Sequence, residues 1–250
     1  MKSVPYLSFI VVYYGLRLLS TASPGLNFYI EFLNVGQGDS IVMNIPRYGY
    51  IVIDTGPDYQ SNYLSARKSA FPICQIKSVI ITHYDSDHSA GLERVLKYCR
   101  NTKIYNSISQ GDTLRFGDTY LYILSPPEVD LTREENDDSI IVLLKHDSFE
   151  ALLVGDAGLE VLEGLSSTVN DLSENGTING GLDVYKVSHH GSKYNNSFKL
   201  INSLKPNNCI ISVGKNTFGH PSLEVIKDLN DAGCKVYRTD VDGSVTFFSR

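Results

Sequence analysis

The stretch ITHYDSDHSAGLERVL, residues 81–96, places two histidines and two aspartates within six positions, namely His83, Asp85, Asp87 and His88. Carboxylates held this close repel one another, and burial costs each of them hydration energy. A bound cation would turn that cost into a favourable interaction. The stretch therefore predicts a metal site. The alternative is a solvated loop in which Asp87 or Ser89 only caps the next helix.

The spacing of these side chains predicts two pairs of ligands. His83 and Asp85 point the same way in an extended segment, because side chains there alternate between two faces. Asp87 and His88 lie where the chain turns into a helix, so they can face a second point nearby. Two cations held in this way need a shared carboxylate, and Asp156, at the end of another apolar run, is the natural candidate.

Possible ligands also follow most of the other apolar runs. The residues at or just beyond these ends are Asp54, Asp156, His189, His190, His220 and Asp240. One histidine at a strand end is usually structural, but ligand sites in layered α/β proteins commonly gather at one end of the strands. The repetition favours a single shared site.

The apolar and β-branched runs predict strands in two batches. They cover residues 28–36, 39–46, 49–56, 76–82, 103–107, 119–125, 139–147, 150–156, 183–190, 209–214, 235–240 and 244–249. Helical spacing predicts helices over 89–99 and 222–233, a short helix over 61–70, and a short helix followed by a polar loop within 158–183. Together these patterns indicate the α/β class and an αββα sandwich, with two sheets between outer helices.

Composition sets broad limits on the function. A chain of 250 residues with 42% hydrophobic and 20% charged residues is typical of one large globular domain. The formal net charge of −6 argues against a general electrostatic attraction to nucleic acid. Any anionic substrate would therefore depend on local positive charge.

The first 25 residues differ from the rest. Lys2 precedes an apolar run that contains Arg17, and the small residues Ser20 and Ala22 follow it. A cleaved signal peptide, an uncleaved anchor and a segment packed on the domain all fit this pattern. We expect a signal or anchor over residues 1–25, a domain over residues 26–250, and export from the cytoplasm. A cytoplasmic protein is expected if the segment is not a signal.

The four cysteines are Cys74, Cys99, Cys209 and Cys234. None forms a C-x-x-C pair, which argues against a thiolate zinc site. Export would permit disulfides, and Cys209 and Cys234 open successive apolar runs that could be neighbours in a sheet. Four buried free thiols are the alternative.

HYDSDHSAG resembles the H-x-D-x-D-H motif of the metallo-β-lactamase fold. More narrowly, the chain resembles the metallo-β-lactamase domain of the bacterial competence DNA-uptake channel (ComEC type). The resemblance covers about residues 26–248, through FLNVGQGDS, IVIDTG, THYDSDHSAG, NDDSIIVLL, LLVGD, KVSHHGS, ISVGKNTFGHPS and VYRTDVDGSV. No segment resembles the channel itself, so a free-standing version without an integral membrane channel is expected.

The resemblance implies a ligand set. His83 and Asp85 would hold one metal, Asp87 and His88 the second, Asp156 would bridge them, and His190 would be the last ligand. His189 would contact substrate or orient the site. Where many members of the fold carry another histidine, this chain reads ENDDSI, so the first site has fewer ligands and Asn136 is the candidate there. Asp54 is expected to orient the ligand loops.

The ligand set also bears on the metal and the chemistry. Aspartate and asparagine in place of histidine make manganese competitive with zinc, so two divalent ions, Zn or Mn, are expected as cofactors. Such ions would activate a shared water and clamp a phosphoryl oxygen. The predicted catalytic residues are Asp87, His189, His220 and Arg238, with Lys193 as a further phosphate contact. Ordinary surface ion pairs are the alternative for Arg238 and Lys193.

These observations predict a metal-dependent hydrolase of ester bonds. The expected activity is that of a phosphodiesterase on an anionic phosphoester, either DNA or phosphorylcholine on a surface polymer. Two alternatives stay open: a degenerate binding domain without catalysis, and a lactam, lactone or thioester hydrolase of the same fold.

Overall fold

The computed structural model describes residues 27–58, 69–70, 73–126, 136, 138–179 and 181–249. The strands are β1 (Tyr29–Phe32), β2 (Ile41–Ile45), β3 (Gly49–Ile53), β4 (Ser69–Ala70), β5 (Ile73–Cys74), β6 (Ile76–Ile80), β7 (Lys103–Tyr105), β8 (Thr113–Phe116), β9 (Thr119–Ser125), β10 (Ile141–His146), β11 (Phe149–Leu153), β12 (Val184–Lys186), β13 (Asn208–Ile211), β14 (Lys235–Arg238) and β15 (Val245–Phe248). The helices are α1 (Ser86–Ser89), α2 (Leu92–Tyr98), α3 (Leu159–Glu174), α4 (Phe198–Leu204), α5 (Leu223–Asp231) and α6 (Thr239–Asp242).

Most strands belong to two mixed sheets. The first sheet has the order β15-β1-β2-β3-β6-β7, in which β3, β6 and β7 run parallel and the other pairs are antiparallel. The second has the order β14-β13-β12-β11-β10-β9-β8, with β11 to β14 parallel. Parallel neighbours need crossover connections, and α3, α4 and α5 lie in the connections between β11 and β14.

Three apolar clusters separate the layers. The cluster between the sheets contains Phe32, Met43, Val142 and Leu144. A second cluster packs the outer face of the second sheet against α3, α4 and α5. The third, around Val95 and its neighbours, packs α2 against the first sheet. This arrangement confirms the predicted αββα sandwich, in which the inner faces of two sheets bury their apolar side chains against each other.

The parallel strands of both sheets bring their carboxyl ends to one edge of the sandwich. Asp54 follows β3 and donates its backbone N–H to the carbonyl of Ile80, at the end of β6. The Ile140 N–H, just before β10 of the second sheet, donates to the carbonyl of Thr82. The predicted ligands therefore meet where the two sheets are joined by backbone hydrogen bonds.

Several local predictions differ from the structure. The helix expected to be short within 158–183 runs for 16 residues as α3, and the predictions missed β8 and α4. Residues 59–68, most of the predicted 61–70 helix, lie outside the described residues, and Ser69–Ala70 form a strand instead. The predicted signal or anchor over 1–25 also lies outside them. Within the described part of the chain, no helix is both long and apolar enough to cross a bilayer.

The cysteines form two disulfides, so the alternative of four free thiols is wrong. Cys74 is bonded to Cys99, and Cys209 to Cys234. The expectation that Cys209 and Cys234 are neighbours is confirmed, because β13 and β14 pair side by side. Each disulfide joins a strand to a nearby segment that the hydrophobic core already holds close.

Candidate metal centre

The loop after β6 is fixed by the carboxylate of Asp54. Its Oδ1 accepts a hydrogen bond from the Thr82 N–H at 2.8 Å, and its Oδ2 accepts one from the Thr82 hydroxyl at 2.7 Å. The same Oδ2 lies 2.8 Å from Nδ1 of His88. Asp54 makes these contacts from a left-handed backbone conformation, with φ 57°. The expected orienting role of Asp54 is confirmed by these hydrogen bonds.

Backbone hydrogen bonds from residues 39, 55 and 56 also hold this loop. The N–H groups of Thr55 and Gly56 donate to the carbonyl of His88, and the Asp39 N–H donates to the carbonyl of Asp87 at 3.1 Å. Gly38 has φ 132°, and a Cβ there would lie 2.2 Å from that Asp87 oxygen. Only glycine permits this approach, which explains the Gly-Asp sequence before β2.

Three buried histidines are anchored to the protein through the same ring atom. Nδ1 is held by the protein in each: by Thr82 Oγ1 at 3.1 Å for His83, by Asp54 for His88, and by the Ser212 carbonyl at 2.7 Å for His190. The three Nε2 atoms are buried and make no hydrogen bond within the described part of the chain.

The carboxylate of Asp156 lies among these ring atoms. Its Oδ2 is 3.3 Å from Nε2 of His88 and 3.4 Å from Nε2 of His190. The His190 Nε2 is also 3.2 Å from Oδ2 of Asp87, and the His83 ring lies 4.1 Å from the His88 ring between centroids. Among the described residues, three groups have ligand atoms within 4.8 Å of one another, namely His83, His88 and Asp156; Asp87, His88 and His190; and Asp39, Asp54 and His88.

The donor set fits divalent metal ions. A buried ring nitrogen without a hydrogen bond is costly, whereas an imidazole anchored through Nδ1 offers Nε2 as a metal ligand. Carboxylates beside these atoms supply the negative charge that a cation requires. The metallo-β-lactamase motif noted in the sequence therefore corresponds to a candidate metal centre built from both sheets.

The electrostatics of the centre also favour positive charge. Burial alone would raise the pKa of Asp87, but the His190 imidazole and the charge of His88 outweigh burial and hold it at about 2. Burial alone would lower the pKa of His88, but Asp156 and Asp54 raise it well above the usual range. Protons on the histidines and a bound cation thus compete for the same carboxylates.

His189 and His190 follow β12 in a tight turn, not in an extended strand. Both have left-handed φ values, 45° and 53°. The strand predicted over 183–190 therefore ends early, at Lys186, and the turn sets the directions of these two side chains. Nε2 of the part-exposed His189 is 3.9 Å from Oδ2 of Asp156, so both imidazoles face this carboxylate.

His220 and Asn136 lie beside the part-exposed His189, on the side of the cluster that we call the entrance because it faces solvent. The His189 and His220 ring centroids are 5.6 Å apart, and Nδ2 of Asn136 is 3.5 Å from Nδ1 of His189. Burial, together with neighbouring histidines, lowers the pKa of His189 and of His220. Both rings are therefore neutral near pH 7 and can donate or accept a hydrogen bond.

Other predicted residues lie at the edge of this cluster or away from it. Asp85 is part-exposed, with Oδ2 3.6 Å from Nε2 of His83, so it faces the predicted partner. Arg238 instead forms a two-point ion pair with Asp240, at 3.0 and 2.7 Å. The ammonium of Lys193 lies over the ring of Tyr194. These contacts of Arg238 and Lys193 are surface interactions, and their phosphate contacts stay a prediction, as do the ligand roles.

The sequence predictions missed two buried residues of the centre. Nζ of Lys186, in β12, lies 2.5 Å from Oδ2 of Asp39 and 3.4 Å from Oδ1 of Asp156. The pKa of Lys186 would fall on burial, but these carboxylates raise it. The sequence signal that could have revealed Lys186 is its position inside an apolar strand, because a buried lysine requires an acidic partner.

Comparisons with known proteins agree with this geometry. Residues 33–150 match the family described as the metallo-beta-lactamase superfamily. ComE operon protein 3 of Bacillus subtilis (strain 168) is 27% identical over 261 residues, covering 87% of this chain and 32% of that protein. Competence protein ComA of Neisseria gonorrhoeae is 24% identical over 226 residues, covering 86% and 31%. The chain spans about a third of the length of these curated relatives.

A solved structure extends the likeness to the whole fold. Zn(2+)-bound PqqB from Methylobacterium extorquens aligns with a TM-score of 0.57 and 11% identity, covering 88% of this chain and 99% of that one. The superfamily typically comprises metal-dependent hydrolases, and the fold typically binds zinc or other divalent metals. The chain therefore resembles the metallo-beta-lactamase superfamily over residues 33–150, and it resembles about a third of each competence relative over most of its own length.

Proposed function

We propose that this chain is a metal-dependent phosphodiesterase that hydrolyses an anionic phosphoester, with DNA as the first candidate. One observation carries the proposal: three histidines anchored through Nδ1 have buried Nε2 atoms without a hydrogen bond, and two of these atoms lie 3.3–3.4 Å from the buried Asp156 carboxylate. Beside this cluster lie two neutral, part-exposed imidazoles, those of His189 and His220.

In this proposal the chain holds two divalent ions, Zn or Mn. His83, Asp85 and Asn136 would hold one ion, Asp87, His88 and His190 would hold the other, and Asp156 would contribute to both sites. When bound, such ions supply Lewis acidity toward a phosphoryl oxygen and activate water for attack.

His189 and His220 act on the substrate in their neutral forms. A neutral imidazole can donate an N–H hydrogen bond to a phosphoryl oxygen or to the leaving oxygen. The rings lie at the entrance, and His189 is directed toward Asp156. Arg238 and Lys193 would reach phosphates farther from the reacting bond, once Arg238 is released from Asp240.

The relatives and the disulfides support the choice of substrate and compartment. Competence protein ComA is named for competence, which favours DNA over phosphorylcholine. Two disulfides form and persist in oxidising compartments, which supports export. We propose a nuclease working outside the cytoplasm, with residues 1–25 as its signal or anchor.

The test is hydrolysis by purified protein of known metal content. We expect about two equivalents of Zn or Mn, with cleavage of bis-p-nitrophenyl phosphate and single-stranded DNA that a chelator abolishes. p-Nitrophenyl phosphorylcholine tests the surface-polymer alternative, and a lactam, a lactone and a thioester test the remaining hydrolase classes. Full metal occupancy without turnover on any phosphoester would contradict the proposal and favour a degenerate binding domain.

A further inference from the structure

The buried ammonium of Lys186 has a complete set of acceptors at the metal centre. Lys186 is 0% exposed and lies in β12, between β11 and β13. Its Nζ donates to the Gly155 carbonyl at 2.8 Å and contacts one oxygen of Asp39 and one of Asp156. An ammonium has three donors, so these partners use all of them.

The two oxygens of Asp156 face different groups. Oδ1 lies 3.4 Å from the Lys186 ammonium, whereas Oδ2 lies 3.3–3.4 Å from the Nε2 atoms of His88 and His190. A carboxylate with nothing fixing it can rotate and present either oxygen. A charge-assisted contact on Oδ1 would hold the plane and leave Oδ2 for the centre.

Asp39 fixes the ammonium in turn. It is buried, and its Oδ2 is 2.5 Å from Nζ of Lys186. Its oxygens are 3.7 Å from Nδ1 of His190 and 3.8 Å from Nδ1 of His88, so it lies behind the imidazoles, on the side away from Nε2. Asp39 thus balances the charge that Lys186 brings so close to a cation site.

We propose that Lys186, held by Asp39, is a positioning residue that orients the Asp156 carboxylate toward the metal ions. The inference rests on the metal centre of the proposed function, but not on phosphodiester hydrolysis. Stability alone does not explain the pair, because apolar side chains of similar volume often replace a buried ion pair at no cost in stability.

The charge of Lys186 and its orienting role predict opposite effects of its removal on metal affinity. If Lys186 acted only through its charge, removing it would tighten metal binding, because an ammonium repels a dication. If Lys186 orients Asp156, removing it weakens binding despite the lost repulsion. A double variant separates the two effects, since Lys186→Met with Asp39→Asn leaves the net charge of the centre unchanged.

The experiment measures zinc affinity by competition with a chromophoric chelator, together with metal content. We expect the double variant to bind zinc roughly tenfold to a hundredfold more weakly than wild type, the usual cost of losing a group that orients a metal ligand. Lys186→Arg, which keeps the charge, should recover part of that loss. Thermal unfolding in EDTA checks that the double variant is folded.

A matched control is the pair Lys145 and Glu150, 3.5 Å apart in the same sheet. They are opposite each other at the start of β11, the end away from Asp156. Lys145→Met with Glu150→Gln should change thermal stability but leave zinc affinity at the wild-type value.

Wild-type zinc affinity in a folded Lys186→Met/Asp39→Asn variant would overturn the inference, and so would a wild type that binds no metal. A wild type that binds zinc but cleaves no phosphoester contradicts only the proposed function, because the affinity comparison still reports on Lys186.

Discussion

At the scale of single residues, the centre depends on which ring nitrogen of each histidine is hydrogen-bonded to the protein. A hydroxyl, a carboxylate and a carbonyl oxygen hold the three Nδ1 atoms of the buried histidines. Fixing one nitrogen by a hydrogen bond sets the tautomer and directs the other outward. We therefore expect the replacement of these Nδ1 partners to weaken metal binding as well.

Replacing His189 and His190 by alanine should affect different properties, namely kcat for His189 and metal occupancy for His190. His190→Ala removes a buried ring whose Nε2 faces Asp87 and Asp156, so metal occupancy should fall. His189→Ala removes a part-exposed ring at the entrance, so it should keep both metals and lose roughly 10²–10⁴ in kcat. Metal analysis and turnover per bound metal measure these effects. Two variants that alter only the melting temperature would indicate a structural pair.

His146, outside the centre, should make stability depend on pH. Burial lowers its pKa from the ordinary 6.5, although Asp147 and Asp118 oppose the shift. The unfolded chain therefore takes up the proton first as the pH falls. The stabilising contribution is complete above about pH 6.5 and is lost as the pH falls through the lower pKa of the folded protein.

The matched variant for this effect is His146→Asn. In EDTA, the melting temperature of wild type should fall more steeply between pH 7 and pH 5 than that of the variant. Parallel curves would show that His146 does not contribute. The ligand histidines are present in both proteins, so their titration cancels in the comparison.

At the scale of elements, the site is made by chain segments just beyond the ends of parallel strands. The residue after β3 and two residues in the turn after β12 adopt left-handed backbone, namely Asp54, His189 and His190. Such conformations cost energy for residues other than glycine and persist where the surroundings hold them. The strands fix the positions, and these strained turns give the side chains their directions.

The disulfides link neighbouring elements and should contribute measurably to stability. Cys209–Cys234 and Cys74–Cys99 each span 25 residues, so loop-closure entropy predicts a similar contribution, about 3 kcal/mol each. Urea unfolding of Cys209→Ala/Cys234→Ala should show this loss. The cost should exceed that of Cys74→Ala/Cys99→Ala, because both sulfurs of the first pair lie in the core. An oxidised and a reduced wild type with equal urea midpoints would contradict the prediction.

At the scale of the whole molecule, the centre joins the two halves of the sandwich. The first half supplies Asp54, His83 and His88, and the second supplies Asp156 and His190. A ligand that binds only this assembled arrangement stabilises the folded state by mass action.

Metal binding should therefore raise the melting temperature of the entire domain. At a free zinc concentration of about 100 times Kd the gain is about 2.7 kcal/mol, or roughly 5–10 °C for a chain of this size. Calorimetry with zinc and with EDTA measures it. Asp156→Ala, which removes the carboxylate that lies within 3.4 Å of an Nε2 atom from each half, should show little or no zinc-dependent shift. An equal shift in wild type and variant would refute the assignment of Asp156.

The sequence by itself determined the layered fold, the polar strand ends and the cluster around His83 and His88. These features are local, because alternation of apolar side chains and the spacing of a short motif are carried by consecutive residues. Asp54 could also be predicted, since it ends a recognisable strand. Local patterns did not predict the length of α3, the strand β8 or the helix α4. These features depend on packing and pairing with the rest of the second sheet, which local patterns do not encode.

Only the tertiary structure decided how distant groups pair. The contact between Asp39 and Lys186 joins the two sheets, and neither residue's neighbours in sequence predict the other. The same holds for the disulfide pairing and for the reach of both His189 and His190, which depends on a left-handed turn. Sequence patterns encode which residues are buried. The partner that each buried charge, thiol or ring nitrogen meets is fixed only when the sheets pack, because burial without a partner costs more than the fold can sustain.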